Sequence, residues 1–325
     1  MERGDWFDLR GNYRVQSKRQ HSLSRLSGHW ATLDSADLNS AAVNAHLRLD
    51  PQWRGQAKLE IRPALVERRA GEFAKEPDIL YKRSNFIRSE RSETMPSDII
   101  DVRKALNRWR QRRSFTSSLL GHEVMLVIEK LIGDIEQISA IEYYVHEAGH
   151  CIGYDTDSKY RDGYFKVGGK TVWPLVYIEE FRADLLGFGF AASLLPSKTA
   201  SSVFFYNVLL RLSSHIEGVR QYGHHPYGVI PFLLYATLRR SGLLGAPLDN
   251  GGSMVLNITT FTPEKIVQYA HQYAALARSE AVELDAEDGS DAAIRAALFY
   301  RSLLHQKIVD EFDAVVKSIL IDCPH

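Results

Sequence analysis

Tyr143-Tyr144-Val145-His146-Glu147-Ala148-Gly149-His150-Cys151 constrains this chain more than any other stretch of its 325 residues. Its centre is H-E-x-x-H, a spacing that works on a helix. His146 and His150 stand at i and i+4, so both imidazoles leave one face a single turn apart and can hold one zinc ion. Glu147 is then placed to take a proton from a zinc-bound water.

A second stretch lies about thirty residues on: Tyr177-Ile178-Glu179-Glu180-Phe181-Arg182-Ala183-Asp184-Leu185-Leu186-Gly187. Catalytic zinc takes three protein ligands and keeps one position open, and two His with one Glu is a standard set. Glu180 supplies the third ligand from a second helix. Asp184, four residues later on the same face, is placed to accept the free N–H of a ligating histidine and fix its tautomer. Arg182 points off that face and is expected to pair with an acid elsewhere.

Cys151 directly follows His150. It is a fourth ligand in a closed structural site or, since a neighbour of a helical ligand points about 100° away, a buried thiol. With Cys323 the only other cysteine, there is no disulfide framework, which fits a reducing compartment. The N-terminus is charged and lacks an apolar h-region, so no secretory signal is expected. No run of about 18 apolar residues occurs, which speaks against a membrane span. The expected location is the cytoplasm.

Composition, at 45% hydrophobic and 25% charged, is that of an ordinary soluble globular protein. A formal net charge of zero gives no whole-chain field toward nucleic acid or an anionic membrane. The charge is uneven: residues 1–118 hold 23 Lys+Arg and 15 Asp+Glu, and the remainder is acidic by the same margin. This reads as a basic segment docked on an acidic body, with a nucleic-acid arm as the alternative.

The expected fold is mainly α: a helical zinc-metalloenzyme body over 96–325 with a small mixed α/β or irregular N-terminal lobe over 1–95. In that lobe Ala45–Leu49 and Ala57–Ile61 alternate like half-buried strands, and Trp6, Trp30 and Trp53 argue against a disordered tail. In the body, Ser97 caps a helix carrying Ile99, Val102, Leu106 and Trp109 on one stripe, ended by the basic run Arg108–Arg113. Leu119–Gly133 reads as a core helix, followed by the H-E-x-x-H helix from Asp134 to Gly153. Gly168-Gly169 suggests a short hairpin. Further helices are predicted over 175–195, 203–215, 229–240, 263–277 and 292–319, with a turn at Asn250–Ser253.

The two motifs together resemble the zinc peptidases of the dipeptidyl peptidase III type. Their signature pairs H-E-x-x-x-H with a downstream E-E-C-R-A-E/D, and here Glu179-Glu180-Phe181-Arg182-Ala183-Asp184 exchanges only the cysteine and the final acid. The resemblance implies that Glu180 binds zinc and that Glu179 supports a ligand histidine. Asp157-Ser158-Lys159-Tyr160 and the stretch from Val203 past His224-His225 to Leu244 continue the likeness, which covers roughly residues 140–245. It implies a transition-state role for His225, or for His224 beside it. Tyr222 and Tyr227 flank this pair as further oxyanion donors. Two departures stand out. The family's histidines are usually one residue further apart, and this chain is less than half the usual family length, so the large β-rich lobe is missing or replaced by residues 1–95.

The expected activity is therefore a zinc-dependent hydrolase, a metallopeptidase or amidase on short peptides or small amides. The alternative is a lyase, hydratase or isomerase acting on a small metabolite through the same site. A non-enzymatic zinc-stabilised protein has no use for Glu147, and the absence of a Walker A sequence and a membrane span sets aside the membrane-anchored AAA proteases.

Overall fold

The computed structural model describes residues 2–14, 21–31, 61–75, 81–82, 86–87, 98–151, 166–167, 170–171, 173–222, 228–285 and 298–322. The protein is mainly α, with a small sheet-containing lobe formed from its N-terminal residues.

That lobe is a six-stranded sheet in the order β4-β6-β3-β2-β1-β5. Its strands are β1 (Arg3–Arg14), β2 (His21–Ala31), β3 (Ile61–Ala70), β4 (Tyr81–Lys82), β5 (Phe86–Ile87) and β6 (Asp98–Asp101). A single turn, α1 (Glu72–Lys75), follows β3. Along β1 the order Phe7-Asp8-Leu9-Arg10-Gly11-Asn12-Tyr13 alternates inward and outward positions, and Phe7 and Tyr13 are buried with Leu26, Val66 and Phe73. Phe7 stacks on Trp30 at 4.3 Å and Tyr13 meets Phe73 at 4.7 Å. The expected strands at Ala45–Leu49 and Ala57–Glu60, and Trp53, lie outside the described residues; Ile61 opens β3.

Residues 98–101 correct the expected helix start. They form a strand parallel to β3, with Ile61 opposite Asp98 and Ala64 opposite Asp101. Ile99 is buried in the lobe's core and Ile100 in the helical core, the two-sided burial that suits adjacent β-branched residues in a parallel strand. Asp101, not Ser97, is the N-cap: its carboxylate accepts the Arg103 N–H at 3.1 Å and pairs with Arg69. Sheet and helices are thus joined at one residue.

The helical body comprises α2 (Val102–Leu120), α3 (His122–Ile132), α4 (Ile135–Cys151), α5 (Trp173–Leu194), α6 (Ser197–Tyr222), α7 (Val229–Ser241), α8 (Pro263–Asp285) and α9 (Gln306–Asp322). The basic run does not end α2. Arginine is a good helix former, and Arg112 pairs with Glu217 at 2.9 Å while Arg113 pairs with Glu129 at 2.5 Å. The break falls at Gly121, whose φ of 74° turns the chain and divides the expected single helix over Leu119–Gly133. Strands β7 (Lys166–Val167) and β8 (Lys170–Thr171) flank Gly168-Gly169 as expected, and β9 (Leu244–Asn250) and β10 (Ser253–Ile258) flank the turn at Gly251-Gly252. Helix α8 runs past Ala277, and a turn at Ser302–His305 precedes α9.

Helix α5 is buried on every side from Phe181 to Ala191, as an apolar helix at the centre of a bundle must be. It lies against α4 at unusually close range. A Cβ on Gly149 would sit 2.1 Å from the Ala183 carbonyl oxygen, and one on Gly187 would sit 2.6 Å from that of Val145. Glycine in each helix facing the partner's backbone lets the two motif helices approach until their functional faces meet. No helix among the described residues is long and apolar enough to cross a membrane.

Candidate metal centre

The α4–α5 contact brings His146, His150 and Glu180 together, with one potential ligand atom from each within 4.8 Å of the others. His146 Nε2 lies 3.3 Å from Glu180 Oε2, and His150 Nε2 lies 3.8 Å from Glu180 Oε1. The two Nε2 atoms are 3.2 Å apart, with the rings edge to face. Bonds of roughly 2.0–2.1 Å to a tetrahedral zinc ion place neighbouring ligand atoms about 3.3 Å apart. The observed spacings fit that geometry, and three donors leave one position open.

Each histidine is oriented by its own acid. His146 Nδ1–H donates to Asp184 Oδ1 at 2.8 Å, and His150 Nδ1–H donates to Glu179 Oε1 at 3.0 Å. A carboxylate only accepts, so both rings carry a proton on Nδ1, and each turns its Nε2, the atom left to bind a metal, toward the other. Two lone pairs at that range repel unless a cation or a proton lies between them. The donor set therefore fits a dication. Burial pushes the His146 pKa down, but the hydrogen bonds and charges of Asp184 and Glu180 outweigh it and hold the imidazolium well above the usual 6.5. Burial likewise pushes Glu180 up, yet its hydrogen bond to His146 and the charges of His146, His150 and Arg211 keep it well below the ordinary carboxylate range.

Glu179 and Asp184 are themselves neutralised. Arg182 pairs with Glu179, so the acid it meets belongs to this site and not to another part of the surface. Asp184 is fully buried and takes Arg211 Nε at 2.8 Å, Arg211 Nη2 at 3.0 Å and Asn207 Nδ2 at 2.9 Å. Burial opposes its charge, but Arg211 and His146 keep its pKa low. Asn207 also donates to Glu142 Oε1 at 2.7 Å, where burial pushes the carboxyl pKa up.

Arg211, Asn207 and Glu142 were not read from the sequence as site residues. Their signals were present: Glu142 precedes His146 by one turn, and Asn207 and Arg211 are a polar pair at i and i+4 inside the apolar run of α6. Glu147 is half-buried on α4, next to His146. The structure does not bring the remaining expected residues into the description. His224, His225 and Tyr227 lie outside the described residues, as does the Tyr222 side chain at the end of α6. The Cys151 side chain is likewise outside them.

The fold and this cluster define a mainly α protein in which two motif helices, held at close range by glycine, present a two-His, one-Glu group able to bind a metal ion. No family model and no curated protein sequence matches the chain. Among solved structures its fold is similar to that of a dipeptidyl-peptidase III from Corallococcus sp. strain EGB, at a TM-score of 0.50 and 15% identity. The match covers 95% of this chain and 61% of that one, so the chain spans less than two thirds of the neighbour's length.

Proposed function

We propose that this chain is a zinc-dependent hydrolase, a metallopeptidase or amidase acting on short peptides or small amide substrates. The observation that carries the reading is the pair of Nε2 atoms 3.2 Å apart, each turned there by a carboxylate behind its ring and both facing Glu180. The H-E-x-x-H and E-E-F-R-A-D pattern and the peptidase-like fold support it.

In this reading His146, His150 and Glu180 hold the ion, and Glu179 and Asp184 fix the two imidazoles. When bound, zinc supplies Lewis acidity to a water and to a carbonyl oxygen. Glu147 takes the proton from the attacking water and returns it to the leaving nitrogen. His225 or His224, with Tyr222 or Tyr227, donates to the oxygen on which negative charge develops. The catalytic body is proposed over residues 96–325, its first described strand, β6, being shared with the sheet of the lobe proposed over residues 1–95.

A second reading keeps the same base and metal but runs a lyase, hydratase or isomerase reaction on a small metabolite, because neither fold nor metal site fixes the reaction. Zinc content tests whether the cluster binds metal at all, and a peptide panel separates the two readings. Wild type should carry about one zinc per chain and Glu180→Ala none. Glu147→Gln should keep the metal and lose amine release by roughly 10²–10⁴-fold. Zinc binding without amine release from any peptide would favour the second reading, and no zinc in wild type would end both.

A further inference from the structure

We infer that Arg211 is a positioning residue of the metal centre, acting from a third helix on two of its acids at once. The inference rests on the metal reading above. From α6, Arg211 grips both oxygens of Asp184 with Nε and Nη2, and the same Nη2 lies 3.7 Å from Glu180 Oε2. One planar group thereby links the acid that orients His146 to the proposed ligand Glu180.

The geometry makes two opposed demands on the guanidinium. By locking Asp184 it holds the His146 ring and so favours metal binding. By placing a fixed positive charge beside Glu180 it repels a dication and so disfavours binding. The contacts decide which effect dominates. Asp184 is buried completely, and its remaining partners are Asn207 and His146, so losing the fork frees a carboxylate that the His146 Nδ1–H must follow. The Arg211 side chain is 26% exposed, so solvent screens its repulsion of a bound cation. Orientation wins. A lysine, with one compact charge, cannot bond both Asp184 oxygens and reach Glu180 together.

The relay on His150 differs. Arg182, which pairs with Glu179, is fully buried and sits one turn from it on α5 itself. It has no link to a third helix through that pair. Asn207 and Arg211 both couple the α6 register to the site, and of the two it is Arg211 that also reaches Glu180.

The test measures zinc affinity by chelator competition for wild type, Arg211→Lys and Arg211→Gln, with thermal unfolding and the visible spectrum of the Co²⁺-loaded protein alongside. Both variants should bind zinc on the order of 10–100-fold more weakly, and the cobalt bands should change in position or intensity. A purely electrostatic role would instead leave Arg211→Lys unchanged and tighten binding in Arg211→Gln. A purely structural role would lower the unfolding temperature and leave the zinc affinity and cobalt spectrum as in wild type. Either result overturns the inference. If Arg211→Gln does not fold, Arg211→Lys, which keeps the charge, still decides. Failure of wild type to take up zinc would mark the metal reading as the fault, whereas equal binding by wild type and Arg211→Lys would fault the role of Arg211 alone.

Discussion

Gly149→Ala puts the close approach of the motif helices to a direct test. The new Cβ would lie 2.1 Å from the Ala183 oxygen, 2.9 Å from its carbonyl carbon and 3.0 Å from its Cα. All three are backbone atoms, so no side chain can rotate away. Ordinary contact begins at 3.4 Å, which requires α4 and α5 to separate by more than about 1 Å. Overpacking of this kind costs about 1–3 kcal/mol, and alanine's better helix propensity returns at most about 1 kcal/mol. The functional loss should be larger. Asp184 and Glu179 ride on α5 and the histidines on α4, so the same displacement stretches the 2.8 Å and 3.0 Å carboxylate–imidazole bonds past hydrogen-bond range. Zinc affinity should fall on the order of 10–100-fold, read by chelator competition. Gly189→Ala is the control. Its Cβ would clash at 2.3 Å with Ala274 of α8, on the opposite side of α5, and should cost stability while sparing the metal. Wild-type zinc affinity in Gly149→Ala would refute the argument, and equal zinc loss in both variants would point to general loosening of the bundle.

Asp184→Asn and Glu179→Gln should each weaken zinc binding on the order of 10–100-fold while leaving the three direct ligands in place, because each acid fixes one histidine; a loss confined to one variant would show that the other acid is idle. The metal-free fold should be most stable between about pH 4.5 and 6.5. His146, with its pKa raised above 6.5, contributes stability that is full below 6.5 and lost as pH rises through its folded value, whereas Glu180 and Asp184, with lowered pKa values, contribute stability present above 4.5 and 3.8 and lost on acidification. Thermal unfolding between pH 4 and 9 should show this fall on the alkaline side without zinc and its removal with zinc, since the ion replaces the proton. A flat metal-free profile from pH 6 to 9 would contradict it. Zinc affinity itself should rise with pH across the same range, because binding displaces the His146 proton.

Some of this protein was legible in the order of its residues because the relevant geometry is local. A helix alone places His146 above His150 and Glu180 above Asp184, so the ligand set and the need for a second helix follow from spacing. Helix termini with a strong local signal, such as Asp134 before α4 or Pro231 in the first turn of α7, were equally readable. Local signals also misled: Ser97, Ile99 and Val102 look like a helix start, but β3 lies alongside and the isoleucines are buried on both faces of a strand. The alternation in β1 was present in the sequence, yet its meaning depends on its partners β2 and, far along the chain, β5.

Tertiary structure alone decided which acid serves which histidine. Spacing offered Glu179 and Asp184 without assigning them, and the crossing of α4 over α5 gave Asp184 to His146 and Glu179 to His150. It also delivered Asn207 and Arg211 from α6, some twenty-five residues beyond the second motif. Helical periodicity determines which residues share a face. Only packing, here set by the missing side chains of Gly149 and Gly187, determines what that face meets and at what distance.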